Sequence, residues 1–293
     1  MEHAACVHRV CPLCRHDNAN GQKLYPDITW GLTDCAECGF VYLETVPDYE
    51  DLTETIGWEQ SWRDEKTRRQ AQEPVLHSLQ VGSQVVRRMA KRDKLTRLIR
   101  KFIGRGRMLD VGCGVGHRAH RWPEAIVPYG IDIEAEAVAV ADKLFRARGG
   151  YAICASAVAG LAKFEDDFFD GALMRAYLEH ESSPLEVLGA LRRKLKDESA
   201  VIIKVPNYGC LNRRVRGRKW CGYRFPDHVN YFTPESLTRL LDIAGYSVMR
   251  FNVLDRFPTS DNMWLVARAR APDRKRTPAG SSHSPRDGEP QRP

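Results

Sequence analysis

The sequence predicts an α/β fold: a doubly wound, mostly parallel, seven-stranded sheet preceded by a small cysteine module. Three observations carry this. From residue 107 to about 270, short apolar runs alternate with helical patterns, as β-α-β units require. The stretch Arg107-Met-Leu-Asp-Val-Gly-Cys-Gly-Val-Gly-His117 ends an apolar strand in an acid and three alternate glycines. Glycines there allow a sharp turn and close approach of a ligand to the backbone. Two Cys-x-x-Cys pairs, Cys11/Cys14 and Cys35/Cys38, stand about 20 residues apart, the spacing of a four-thiolate metal site.

Composition narrows the class. The 293 residues are 43% hydrophobic and 28% charged, which excludes a wholly disordered or fibrous chain. No apolar run reaches the length of a membrane span, and Met1 to Arg9 contain no secretory apolar segment. A cytoplasmic protein is the expectation. Nine cysteines, four of them in paired knuckles, point to metal rather than disulfides in a reducing compartment. The net charge of +7 suits an acidic partner or substrate.

In chain order, residues 1–45 read as a zinc ribbon whose four cysteines close a structural tetrahedral site, with Gly39 suited to the second knuckle. Residues 46–104 read as a helical linker or cap. Trp58 and Trp62 share a face there, and helical periodicity runs from Val75 to Ile103 with a basic face from Arg87 to Lys101. Strand one is 107–111, and a helix follows through about 122. Strand two is 127–132, then an alanine-rich helix over 134–147. Strand three is 151–154 and strand four 170–174. A helix over 184–196 has Ser182 and Ser183 as candidate caps and Pro184 in its first turn. Strand five is 200–205. A long connection, 206–232, precedes a helix over 234–244 ended by Gly245. Two last runs, 246–255 and 263–268, complete seven strands as an edge hairpin. Residues 271–293, rich in Pro, Arg, Ser and Gly, read as a disordered tail.

The glycine loop lacks the third glycine of the dinucleotide fingerprint, because His117 stands there, and it is not a phosphate loop. What remains is Asp110, Gly112, Cys113, Gly114 and Gly116. Asp132 and Ile133 follow at the end of the second strand, where a carboxylate accepts hydrogen bonds from ribose hydroxyls. With LDVGCGVG (109–116), GIDIE (130–134), Leu178-Glu-His180 and the segment 206–237, the sequence resembles the class I S-adenosylmethionine-dependent methyltransferases of the ubiquinone and sugar type. The resemblance covers roughly 11–270. It implies a Rossmann-like sheet whose last strand inserts antiparallel, with S-adenosylmethionine as cofactor. In the family pattern an acid after strand three holds the adenine; here Ala155 and Ser156 stand there. Arg175, after strand four, completes the candidate cofactor set.

The donor's methyl is already activated, so the protein must align a nucleophile and, for a hydroxyl acceptor, supply a base. His228, His180 and Glu179 are the candidate catalytic residues. Arginines between Tyr208, Trp220, Tyr223 and Phe225 suit a ring beside an anion, or are solvated around an aromatic anchor. The expected acceptor is a small molecule or glycan: a sugar, sugar nucleotide, lipid-linked or quinone-like intermediate. The sugar C-methyltransferases it resembles carry a further C-terminal domain, so O-methylation is expected. The alternative is an RNA methyltransferase that holds RNA with the ribbon and basic helices. Against it, the strand-four loop reads Met-Arg-Ala-Tyr rather than Asn/Asp-Pro-Pro-Tyr. A non-catalytic binding module conflicts with the intact Asp110, Gly112, Gly114, Gly116 and Asp132. Oligomeric state is not encoded in any motif.

Overall fold

The computed structural model describes residues 6–19, 21, 23–25, 30–47 and 94–271. The Trp58/Trp62 pair, the helical pattern up to residue 93 and the tail beyond 271 lie outside these residues.

The main sheet has seven strands: β5 (Gly106–Val111), β6 (Ile126–Asp132), β7 (Tyr151–Cys154), β8 (Phe169–Arg175), β9 (Leu195–Pro206), β11 (Tyr246–Arg250) and β12 (Asn262–Ala269). Their spatial order is β7-β6-β5-β8-β9-β12-β11. Strands β7 to β9 are parallel; β12 runs antiparallel between β9 and β11. The final hairpin therefore contributes one inserted strand and one edge strand.

Alternation along the strands sends side chains to two cores. Leu109, Ile131, Val201 and Ile203 face α3 (Ala157–Leu161), α4 (Pro184–Lys194) and α6 (Pro234–Ile243). Met108, Leu173 and Ile202 face α1 (Lys94–Phe102) and α2 (Ala135–Arg146). Helix α6 opens with a capping box between Thr233 and Ser236.

Local chemistry displaces several expected boundaries. The helix expected through about 122 is a single 3₁₀ turn, Ala119–Arg121, cut off by the extended Trp122 ahead of Pro123. Ser183 takes the N-cap position of α4, but its side chain makes no cap hydrogen bond; its own N–H donates to the Glu181 carboxylate at 2.8 Å. Helix α4 ends at Lys194, and β9 begins at Leu195.

The cysteine module is stitched into this body. Strands β2 (Leu32–Asp34) and β3 (Val41–Leu43) form a sheet whose third member, β10 (Asn230–Tyr231), comes from the long connection after β9. Strands β1 (Cys6–His8) and β4 (Thr45–Pro47) pair separately. Buried Arg9 donates to the carbonyls of Leu43, Val229 and Ser182 and to Asn230 Oδ1. Asn230 in turn donates to the carbonyls of Leu178 and Glu181.

Candidate active site

The glycine loop is built by contacts that discriminate between its glycines. Gly112, Gly114 and Gly116 all have positive φ. A Cβ on Gly116 would lie 2.8 Å from the Phe145 ring and 3.0 Å from Ala141, so this glycine lets α2 pack. A Cβ on Gly114 would meet nothing within 4 Å, because this residue faces open space. The Gly114 N–H donates to Asp132 Oδ2 at 2.7 Å, and the Glu134 N–H to Asp132 Oδ1 at 3.1 Å. Asp132 thus clamps the loop and the start of α2 together. Each carboxylate oxygen keeps a further lone pair for a ligand.

The space faced by Gly114 is a cavity of about 1060 Å³ at the carboxyl ends of β5, β6 and β8. Open α/β sheets bind ligands at this rim. Asp110, Gly112, Cys113, Gly114, Gly116, Asp132, Ile133, Ala155, Ser156 and Arg175 all line it. Ser156 is also the N-cap of α3, accepting from the Ala159 N–H. Burial raises the pKa of Asp110 to about 8; Arg175 and Arg118 oppose the rise and Asp132 adds to it.

The three candidate catalytic residues come together, but only one reaches the cavity. His180 lines it, whereas Glu179 and His228 lie behind the wall, 2% and 5% exposed. The two imidazoles meet edge to face at 4.7 Å. His180 Nδ1 donates to the Asp227 carbonyl and His228 Nδ1 to the Gly222 carbonyl, both at 2.8 Å. A carbonyl only accepts, so each Nδ1 carries the proton and each Nε2 the lone pair. Burial holds both rings neutral, with His180 pushed down to about 3 and His228 well below the ordinary histidine value. Burial also raises Glu179 and lowers Lys204, each opposed by the other's charge. Glu179 Oε2 is buried without a hydrogen-bond partner. Ligand-type atoms of Glu179, His180 and His228 lie within 4.8 Å of one another. The positive charges of Lys204, Arg175 and Arg224 acting on them disfavour cation binding there.

The cysteine site has metal-compatible geometry. Four thiolates at 2.3 Å around a tetrahedral ion stand about 3.8 Å apart. Cys11 and Cys38 sulfurs are 3.6 Å apart, Cys14 and Cys35 3.5 Å, and all four fall within 4.8 Å. Each knuckle closes with a backbone bond, Arg15 N–H to Cys11 and Gly39 N–H to Cys35. Burial disfavours the Cys35 thiolate, but the Asn18 side chain and the Cys38 and Glu37 N–H groups outweigh it and lower its pKa to about 6. His8 and His16 lie outside the four-sulfur set.

Several site residues escaped the sequence reading. Tyr177 covers Gly112 and hydrogen-bonds Glu181, and both line the cavity. Arg118 lines it as well. Lys204 was signalled by a lysine inside the apolar run of β9. Arg9 carried no signal. The aromatics of the long connection belong to a core rather than a surface: Tyr208, Trp220 and Tyr223 are 8%, 2% and 4% exposed.

A comparison with curated proteins finds no match. Among solved structures, a SAM-dependent methyltransferase from Archaeoglobus fulgidus is similar at 21% identity, covering 60% of this chain and 91% of its own (TM-score 0.48). One from Methanosarcina mazei is also 21% identical, covering 57% of this chain and 93% of its own (TM-score 0.44). Residues 82–250 match the family described as "Methyltransferase domain", more than half of the 293 residues. With that match laid over the glycine loop, Asp132 and the cavity between them, the chain belongs to the methyltransferase-domain family.

Proposed function

We propose that the cavity holds S-adenosylmethionine and a small-molecule or glycan acceptor, and that the reaction is O-methylation with His180 taking the proton. The observation that carries this is the single cavity joining the open face of Gly114, the Asp132 carboxylate and His180. The bound cofactor supplies an activated methyl on a sulfonium. Asp132 would hold the ribose hydroxyls, Ile133, Ala155 and Ser156 the adenine edge, and Asp110 the amino group. Arg175 and Arg118 supply positive charge near the same end. His180 is uncharged near neutral pH, so its Nε2 can accept a proton, as a weak base given the lowered pKa. Glu179 and His228 act through it as positioning residues, by contact and by charge. The four cysteines would hold a structural zinc ion.

Transfer of labelled methyl from S-adenosylmethionine into fractionated host extract tests the acceptor class. Label in nuclease-resistant glycan, lipid or small-molecule fractions supports the reading. Label removed by ribonuclease replaces it with the RNA alternative. With the acceptor in hand, His180→Ala is expected to lower turnover about 100-fold or more while cofactor affinity stays within about twofold. His228→Ala should lower turnover less. Near-normal turnover in both variants rules out a histidine base. Because His180 stays neutral down to about pH 3, it should contribute no acid limb to the rate profile between about pH 5 and 8.

Asp110 gives a second expectation. Free protein keeps this carboxyl protonated below about pH 8. A cationic amine binds the ionised form better, so binding displaces the proton. Affinity for S-adenosylhomocysteine should rise as pH increases toward about 8 and then level. Calorimetry near neutral pH, in buffers of differing ionisation enthalpy, should show release of up to about one proton. A heat independent of buffer contradicts it.

A further inference from the structure

We propose that the rim formed by α5 (Leu211–Arg216) and the β11–β12 connection (251–261) is a docking surface for an anionic lipid bilayer. The two segments abut. The Leu211 N–H donates to the Pro258 carbonyl at 2.8 Å, and Asn212 Nδ2 to the Thr259 carbonyl at 2.9 Å. Because Asn262 pairs with Pro206, both segments leave the sheet at the carboxyl end of β9. The cofactor cavity opens at that same end.

The surface they present combines two properties. Leu211 and Val215, one turn apart on α5, are 45% and 85% exposed. Across the junction Val253, Leu254 and Phe257 are 62%, 75% and 47% exposed. Single exposed apolar residues are ordinary, but here five fall on two segments that touch each other. Around them the charge has one sign. Residues 211–219 read Leu-Asn-Arg-Arg-Val-Arg-Gly-Arg-Lys, with no acid, and Arg214, Lys219 and Arg256 are exposed. The acids of the neighbouring connection are engaged elsewhere. Asp255 is buried against Lys94 and Arg250, and Asp261 accepts from Trp220 Nε1.

Exposed hydrocarbon with cations on the same segments matches an anionic bilayer, which takes the apolar groups below its headgroups and the cations among them. RNA fits less well. Single-stranded RNA is gripped by several aromatic platforms, whereas Phe257 is exposed here and Tyr208, Trp220 and Tyr223 are buried. The inference stands independently of the acceptor, since none of these residues lines the cavity.

The test is flotation of the full chain with phosphatidylcholine vesicles, with and without about 30% phosphatidylglycerol. Binding is expected only to the anionic vesicles and should weaken with salt. Arg214→Glu and Lys219→Glu should each weaken it about fivefold or more. Leu254→Ser and Phe257→Ser should each weaken it about tenfold. All four should keep wild-type affinity for S-adenosylhomocysteine. No binding to anionic vesicles, or equal binding to both kinds, overturns the proposal. So does binding to the anionic vesicles that only the charge reversals reduce, since a purely electrostatic surface would serve RNA equally.

Discussion

Gly114→Val should eliminate measurable cofactor binding and leave the protein folded. The loop residue has φ of +50° and faces the cavity, and a Cβ added there meets no atom within 4 Å. The folded apoprotein therefore accommodates the substitution, at a backbone cost of about 1–2 kcal/mol for an L-residue in the left-handed region. The valine methyls then occupy space that a ligand must enter. Affinity for S-adenosylhomocysteine should fall about 100-fold or more, equivalent to roughly 3 kcal/mol. Gly116→Val is the informative contrast. Its Cβ would be driven against Phe145 and Ala141, so it should lower the thermal midpoint as well as affinity. Calorimetric titration and thermal unfolding on both variants separate the cases. Wild-type affinity in folded Gly114→Val would remove the loop from the cofactor site.

Stripping metal should produce the second large effect. If the four sulfurs bind zinc, the chain will carry about one zinc ion, and a strong chelator or Cys35→Ser will remove it. Unmetallated, Cys11 and Cys38 are pushed toward the neutral thiol by burial while Cys35 keeps a lowered pKa, so the cluster loses part of its charge together with its cross-link. The thermal midpoint should drop about 10 °C or more, the equivalent of several kcal/mol in a chain of this size. Metal-free protein with an unchanged midpoint and four freely titrating thiols would dismiss the zinc reading.

Much of this was legible in the sequence because it was written in local signals. The apolar runs at 151–154 and 170–174, the Gly-rich loop and the Thr-Pro start of α6 each declare their conformation within a few residues. The ten candidate cofactor residues converge on one cavity because strand ends in a parallel sheet share a rim. Long-range competition was illegible. Ser183 takes the N-cap position, yet its side chain makes no cap bond. Strand β10 has two residues, too few for any periodicity. His228 sits in a segment that resembles a substrate loop, and only the packed structure places it behind His180 rather than in the cavity. The aromatics at 208–225 could equally have faced a ring-shaped ligand; burial against Val41 and Leu43 decided otherwise.

Arg9 has a bearing on how this protein can be taken apart. Its guanidinium fills carbonyls from three distant stretches: Leu43 in the front module, Ser182 beside the cavity, and Val229 on the returning strand. The contacts to Leu43 and Val229 are buried and that to Ser182 is partly so, and a buried carbonyl without a donor is costly. Cutting the chain ahead of residue 94 would leave the Ser182 and Val229 carbonyls and Asn230 Oδ1 without this donor, strand β10 without its neighbour β3, and the loop bearing His180 without its brace. The front module is therefore no detachable accessory to a self-sufficient catalytic half. The two would melt together, and any lineage that shed the cysteines would have had to rebuild the His180 side of the cavity.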